Sequence, residues 1–204
     1  TKLRAIQTNG IQVQAQGVSG VEQTWIKMVA KKYGSLTMKA EDAYMADEKL
    51  RVYWHDDCML HDGGPSVLEN EPPDYILFPE PHVESSMRVR NIKGILETGP
   101  LKNLIDLRNG RHATDEEILT FHTQGHLDAM KAAAANPDPV RIDGGGTVVN
   151  DGTLEASTAA AGTTLDALNA VLNEPGGPVY SLVRPPGHHA QPTMGDGNCI
   201  FNNV

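Results

Sequence analysis

The chain has 204 residues, 39% of them hydrophobic and 21% charged, which is long enough for one globular domain with a small appendage and is unlike a disordered chain. Its formal net charge of −9 argues against direct binding to nucleic acid, because an acidic surface repels phosphates. No apolar run approaches the roughly 18 residues that span a bilayer, so we expect a soluble protein that does not bind membranes.

The first 48 residues predict an N-terminal extension made of a hairpin and a helix. Asn9 and Gly10 separate two short alternating stretches and suit a type I′ turn, which needs two residues with positive φ. A capping-box pattern at Ser19 then opens an apolar helical face that includes Trp25. We interpret the Trp25 face as the core of the extension; the alternatives are an oligomer contact or a lid over a pocket.

Strands and helices alternate in the remainder, residues 49–204. β-prone stretches predict strands at 50–55, 103–108 and 179–183. Capping residues and helical periodicity predict helices that begin at Ser85 or Ser86 and end near Gly99, that run from Thr114 through Leu127, and that cover 154–173. Residues 136–153, rich in Pro and Gly, predict a loop. This alternation predicts an α/β fold with three αβα layers around a mostly parallel sheet.

Two adjacent histidines follow the last predicted strand. Pro185 and Pro186 stiffen the exit from this strand, and Gly187 permits a sharp turn before His188 and His189. Ligands bind beyond the carboxyl ends of strands in parallel sheets. A fixed pair of imidazoles at such an end could transfer protons or bind a metal, whereas two ordinary loop histidines are the alternative.

The sequence around this pair closely resembles the signature of the histone deacetylase and acetylpolyamine amidohydrolase family. The resemblance rests on residues 184–190 (RPPGHHA), on Gly197 and on 199–203 (CIFNN). Weaker matches in the same order lie at 55–61, 87–90, 113–119, 122–127 and 143–155. The resemblance covers about residues 50–204 and implies the first part of a catalytic domain with the arginase/deacetylase-like fold, incomplete in this chain.

The resemblance also implies roles for individual residues. His189 matches the histidine assigned as general base and then as acid to the leaving amine, and His188 matches the one that helps to hold the oxyanion. Gly197 matches a glycine whose backbone contributes to the acyl pocket. Arg88 matches an arginine near the inner cavity, and Asp143 is the candidate for an acidic rim residue that holds the substrate amide.

Two departures qualify this resemblance. Asn198 replaces a phenylalanine that forms one wall of the narrow acyl channel, which puts the usual linear substrate in doubt. The family's zinc ligands and oxyanion tyrosine lie downstream of the matched segment, so we expect them after Val204. The cofactors implied are Zn2+ and a structural monovalent cation such as K+. Because the chain stops part-way through an apolar run, we expect a piece of a longer polypeptide that is inactive alone.

Three other features have competing interpretations. Residues 55–62 contain enough histidine, aspartate and cysteine for a metal site, but their spacing fits no common closed zinc motif, so we interpret them as a solvated acidic loop. Residues 143–147 (DGGGT) could cradle a phosphate, although no Walker-type lysine accompanies them. Cys199 is interpreted as a buried cysteine rather than a nucleophile. With only two cysteines, the chain predicts free thiols and a cytoplasmic location.

The sequence therefore predicts a zinc-dependent amidohydrolase that cleaves a small acylated amine, such as an acetylpolyamine or an acetyl-lysine side chain. The alternative is a non-catalytic deacetylase-like scaffold or a module that binds a small ligand. We expect a homo-oligomer, with the extension as a candidate contact. The hydrolase hypothesis requires the rings of His188 and His189 to lie beside Gly197 and to be shielded from bulk solvent.

Overall fold

A computed structural model describes residues 5–8, 11–14, 49–67, 74–143 and 146–204. The chain divides into two compact units, Thr1–Asp47 and Glu48–Val204. In the first unit, β1 (Ala5–Thr8) pairs with β2 (Ile11–Gln14) in antiparallel fashion, which is the pairing that an Asn-Gly turn predicts. The turn itself and the helix predicted around Trp25 lie outside the described residues.

The second unit contains the elements that position the candidate site. In chain order they are β3 (Leu50–Trp54), a 3-10 helix (Asp56–Met59), β4 (Pro65–Ser66), β5 (Glu80–Pro81), α1 (Ser86–Thr98), a second 3-10 helix (Lys102–Leu104), β6 (Ile105–Asn109), α2 (Asp115–Ile118), α3 (Gln124–Ala134), β7 (Val140–Arg141), β8 (Val148–Val149), α4 (Thr153–Asn173) and β9 (Val179–Ser181).

The central sheet is parallel and has the strand order β6-β3-β9. All four residues from Arg51 to Trp54 in the middle strand are buried, as expected for a strand that is covered on both faces. The mostly parallel α/β arrangement predicted from the sequence is therefore confirmed. Because the three strands run in the same direction, the segments that follow them leave the sheet at one edge.

Helix α4 packs closely on this sheet because its buried face consists of small side chains. Ala159 and Ala160 belong to the same buried cluster as Val52, and Ala167 and Ala170 pack with Tyr53. At Gly162, an added Cβ would lie only 2.4 Å from the backbone nitrogen of Ala113. The helix thus contacts both the central strand and the loop that follows β6.

The structure corrects two sequence predictions in this unit. The helix predicted from Thr114 through Leu127 is two helices, because the hydroxyl of Thr123 accepts a hydrogen bond from the His126 amide and caps a new helix, α3. The capping box at Thr114 is present as predicted and begins α2. The predicted loop at 136–153 contains an antiparallel pair, in which Val140 lies opposite Val149.

Among the described helices, none combines the length and the apolar character that crossing a bilayer requires.

Candidate functional site

The histidine pair follows β9 at the carboxyl edge of the sheet. The amide of Leu182 donates a 2.9 Å hydrogen bond to the carbonyl of Tyr53, which extends the pairing of β9 with β3 beyond Ser181. Arg184 and Pro185 are then fully buried, and the peptide bond between them is cis. The pair is therefore anchored by a buried segment on its N-terminal side.

Arg184 fixes this segment through a buried polar network. Its guanidinium donates hydrogen bonds to the carbonyl of His61 at 2.6 Å and to the carbonyl of Glu84 at 2.8 Å. Its Nε lies 2.6 Å from a carboxylate oxygen of Glu84 in an ion pair. Burial lowers the pKa of Arg184 and raises the pKa of Glu84, and in each case the opposite charge of the partner offsets part of that effect.

The rings of His188 and His189 are in contact and tilted relative to each other. Their centroids are 4.2 Å apart and their planes are inclined by 50°. Both side chains are exposed on this chain, contrary to the expectation that they are shielded from solvent. Within the described part of the chain, no hydrogen bond is made by either ring, so the orientation of the pair is set by the backbone.

A tight turn at residues 196–199 holds Gly197 against His189. The amide of Asp196 donates a 3.0 Å hydrogen bond to the carbonyl of Cys199, and the amide of Cys199 donates a 2.8 Å hydrogen bond to the carbonyl of Asp196. Gly197 has a φ of 53° and Asn198 a φ of 67°, the pattern of a type I′ turn. A Cβ on Gly197 would lie 2.9 Å from Cδ2 of His189. The predicted contact between the pair and Gly197 is therefore present.

The sulfur of Cys199 joins this turn to the histidine loop. It accepts a long hydrogen bond from the amide of His189 and donates one to the carbonyl of Gly197, both at 3.5 Å. The residue is completely buried, and burial raises the pKa of its thiol. A buried thiol with a raised pKa is a poor nucleophile, in agreement with the structural role inferred from the sequence.

Asp143 and Asn198, both predicted to contact substrate, are linked through Thr147. The Asp143 carboxylate accepts hydrogen bonds from the amide and the hydroxyl of Thr147, at 3.1 Å and 2.5 Å. The hydroxyl of Thr147 in turn accepts a 2.8 Å hydrogen bond from the backbone N–H of Asn198. Asp143 thus orders the loop that supports the turn, and its role as a substrate ligand stays a prediction.

Two buried histidines that the sequence analysis did not select hold the segment beyond this turn. His126 donates through Nε2 to the carbonyl of Ile200 at 2.9 Å, and Nε2 of His122 accepts from the amide of Asn202 at 2.8 Å. Burial lowers the pKa of His122, which favours the neutral ring that this acceptor role needs. The available signal was the weaker family match at 122–127; helical periodicity does not relate the two histidines, because His122 precedes the Thr123 cap and His126 lies within α3.

The same terminal segment packs under the histidine loop. Asn202 donates to the carbonyl of Ala190 at 3.2 Å, and Asn203 donates to that of Pro185 at 3.4 Å. A Cβ on Gly187 would lie 2.2 Å from the Asn203 side chain, so only glycine allows this approach. Glycine is therefore needed at position 187 for this close contact between two loops.

Arg88 lies on an exposed part of α1. Its guanidinium is 3.4 Å from Glu84, the residue that also pairs with Arg184, so this carboxylate connects Arg88 to the segment before the histidine pair. A groove of about 990 Å³ runs beside the same helix, lined by Trp54, Met59 and α1 residues such as Lys93. None of the residues predicted for the site lines this groove, and we place the candidate site at the pair instead.

Metal ligands are not clustered around the pair in the part of the chain that the structure describes. In the described ranges, the one group of three histidine, cysteine or carboxylate side chains close enough to share an ion consists of His55, Asp57 and His112. The described residues that surround His188 and His189 therefore do not form a zinc site by themselves.

Comparison with known proteins adds independent evidence. The family model of the histone deacetylase domain matches residues 82–204. Histone deacetylase 8 of Arabidopsis thaliana is 37% identical over 161 residues, covering 78% of this chain and 42% of the relative. The histone deacetylase-like amidohydrolase of Pseudomonas aeruginosa is 32% identical over 154 residues, covering 72% of this chain and 39% of the relative.

A solved structure agrees with these sequence matches. The crystal structure of the HDA15 HD domain superposes with a TM-score of 0.63 at 26% identity, covering 76% of this chain and 40% of the other. The chain thus spans about two-fifths of the proteins that it matches here, with shares of 42%, 39% and 40%.

Proposed function

The chain belongs to the histone deacetylase family, and from this membership we propose that it forms part of a zinc-dependent enzyme that hydrolyses the amide bond of a small acylated amine. Relatives named as a deacetylase and as an amidohydrolase support hydrolytic deacetylation in general. The observation that carries the proposal for this chain is the contact of Gly197 with the ring of His189 at the carboxyl edge of a parallel sheet.

His189 is our candidate for the general base. A neutral imidazole at this position can accept a proton from the attacking water and then donate it to the departing amine nitrogen. The neighbouring ring of His188, whose centroid lies 4.2 Å away, is our candidate for the group that donates a hydrogen bond to the oxyanion.

Zinc is part of the proposal through the family, which is zinc-dependent. When bound, it supplies Lewis acidity that polarises the amide carbonyl and favours ionisation of water. The described residues around the pair do not provide a set of three ligands for the ion. We propose that its ligands follow Val204 in sequence. A structural monovalent cation stays a prediction.

The substrate class follows from charge and from the turn. A net charge of −9 favours a cationic amine, such as a polyamine or a lysine side chain. Asn198 occupies the left-handed region, where asparagine is much better tolerated than phenylalanine, and it brings an amide group to the predicted channel wall. We therefore propose a short acyl group on a cationic amine. Homo-oligomerisation and a cytoplasmic location remain predictions.

Both histidine rings are exposed, so the described residues do not meet the shielding that the hydrolase hypothesis requires. This exposure favours a second candidate, a non-catalytic scaffold or ligand-binding module of the same family. One experiment separates the two. In the full-length protein that contains this chain, His189→Ala should lower kcat/KM on an acetyl-lysine peptide and on an acetylpolyamine by orders of magnitude, with the zinc content unchanged. Met194→Ala, an exposed side chain in the same loop, is the matched control and should keep wild-type turnover.

Two results would contradict the general-base assignment: turnover that is unaffected by His189→Ala, or loss of zinc accompanied by a retained residual rate. A wild-type protein that binds zinc and does not hydrolyse either substrate would favour the scaffold.

A further inference from the structure

A group of half-buried side chains at the carboxyl edge of the sheet is separate from the histidine pair. His55 directly follows β3, Asp57 lies in the 3-10 helix after it, and His112 follows the neighbouring strand β6. The amide of Gly110 donates to the carbonyl of Trp54 at 2.8 Å, so the parallel strands remain paired to the point where their chains diverge. Side chains that are 55 residues apart in sequence thereby meet at one place.

The geometry of the group suits a single small cation. An oxygen of Asp57 lies 2.8 Å from Nε2 of His112 and 3.7 Å from Nδ1 of His55. All three ligand atoms lie within 4.8 Å of one another. Ligands that are each about 2.1 Å from a tetrahedral zinc ion lie about 3.4 Å apart, so small side-chain rotations bring this triad to coordination distance.

The ring of His112 is oriented by α4. Its Nδ1 is 2.8 Å from the hydroxyl of Thr158, and that hydroxyl donates a 3.0 Å hydrogen bond to the carbonyl of Leu154. Because a carboxylate oxygen only accepts, Nε2 of His112 donates to Asp57 in this 2.8 Å contact, and an ion bound here would take the place of that hydrogen. Metal-binding histidines commonly have this arrangement, in which the second ring nitrogen is fixed by a hydrogen bond.

His55 sets a limit on the affinity. Its Nδ1 accepts a 3.2 Å hydrogen bond from the Asp57 amide, which caps the 3-10 helix. Coordination of an ion through Nδ1 replaces this hydrogen bond, so His55 contributes less to the binding affinity than His112 does. The side chains are between 24% and 40% exposed, which leaves the group accessible to ions and to a water ligand.

We propose that His55, Asp57 and His112 form a binding site for a divalent transition metal of the Zn2+, Ni2+ or Cu2+ class, with an open position for water. Two imidazoles and one carboxylate match the preference of these ions for nitrogen ligands, whereas Mg2+ and Ca2+ prefer oxygen. The interpretation of residues 55–62 as a solvated loop is thus incomplete: Cys58 and His61 are buried, and His112 supplies the third ligand. The site is independent of the proposed hydrolase activity.

The test uses direct binding to the 204-residue chain after removal of metals with a chelator. Titration calorimetry with Zn2+, and electron paramagnetic resonance with Cu2+, should show one ion per chain at this site and nitrogen hyperfine coupling from the imidazoles. His112→Asn and Asp57→Asn should each weaken the affinity at least tenfold. Asp56→Asn is the matched control, because the neighbouring carboxylate bonds to the Trp54 indole instead, and it should bind as the wild type does.

The exposed His188 and His189 are the competing location for an added ion. A double His188→Ala, His189→Ala variant should keep the site and its copper spectrum. If binding is lost in this double variant and retained in His112→Asn and Asp57→Asn, the ion sits at the pair and the proposal is wrong. The proposal would also be wrong if the wild-type chain, shown to be folded by its circular dichroism spectrum, binds no ion with a Kd below about 1 mM.

Discussion

The carboxylate of Glu84 lies 2.6 Å from Nε of Arg184, and the two residues are 6% and 1% exposed. Arg184 is four positions before His188, so this ion pair anchors the histidine loop to the segment that precedes α1. Removal of one partner from a buried pair leaves an uncompensated charge, which is far more costly than loss of a surface contact.

Glu84→Gln should therefore lower the free energy of unfolding of the 204-residue chain by about 3–5 kcal/mol. Urea denaturation measures this change. Glu97→Gln is the control, because Glu97 pairs with Lys93 at 2.5 Å on the surface of α1, and it should cost less than about 0.5 kcal/mol. Equal effects of the two substitutions would show that the buried pair does not anchor the loop.

The pH dependence of stability should have a component from His61. Burial, together with the charge of Arg184, lowers the pKa of this histidine to about 3, while the ring is held 2.9 Å from the hydroxyl of Thr153. Since the unfolded chain titrates near 6.5, it binds more protons than the folded chain between pH 6.5 and pH 3. Stability therefore falls as the pH is lowered through this window, by up to about 1.4 kcal/mol per pH unit from this group.

Comparison with His61→Gln isolates this contribution. The raised pKa of Glu84 acts in the opposite direction, because its folded form binds more protons than the unfolded form above the ordinary pKa of a glutamate. That effect is common to both proteins and cancels in the difference. Unfolding free energies measured at several pH values should show a shallower acid slope for His61→Gln, and parallel slopes would exclude a role for His61.

Local signals account for the parts of the fold that the sequence predicted well. The capping box at Thr114 requires only two residues three positions apart, and the strand at Leu50–Trp54 shows a buried β-prone run. Thr123 was overlooked because a continuous apolar periodicity runs past it, although its hydroxyl caps a new helix and its amide donates to the carbonyl of Pro192. Periodicity alone does not detect such an interruption.

The candidate site was predictable only where a long motif identified it. His188, His189 and Gly197 lie within one such motif, and the structure places Gly197 against His189. By contrast, the contact of His126 with Ile200 joins residues 74 positions apart, and that of His112 with Asp57 joins residues 55 apart. These contacts depend on how the strands and helices pack, and no local pattern encodes them.

Substitution of two helical glycines by alanine should change the free energy of unfolding in opposite directions. Gly162→Ala places a Cβ 2.4 Å from backbone atoms of residues 111–113, so α4 must move and stability should fall by about 1–3 kcal/mol. Gly94→Ala in α1 meets nothing within 4 Å and should raise stability by about 0.5–1 kcal/mol through helix propensity. Thermal or urea unfolding measures both, and a destabilised Gly94→Ala or a neutral Gly162→Ala would contradict this packing.

The turn at Gly197 offers a direct way to move His189. Gly197→Ala introduces a Cβ 2.9 Å from the imidazole, and it also places alanine at a φ of 53°. Gly64→Ala is the matched control, since it places alanine at a φ of 72° with nothing within 4 Å of the new Cβ. Both substitutions carry the backbone cost of a left-handed residue, about 1–2 kcal/mol, so only the contact with the ring distinguishes them.

Gly197→Ala should therefore shift the imidazole resonances of His189 in nuclear magnetic resonance spectra of this chain and reduce turnover in the full-length protein. Gly64→Ala should lower stability by a similar amount, with the His189 resonances and the turnover unchanged. If both variants shift the resonances equally, the effect arises from backbone strain and not from the ring contact. If the resonances move and turnover does not, Gly197 positions His189 as the structure indicates, and the assignment of His189 as general base is wrong.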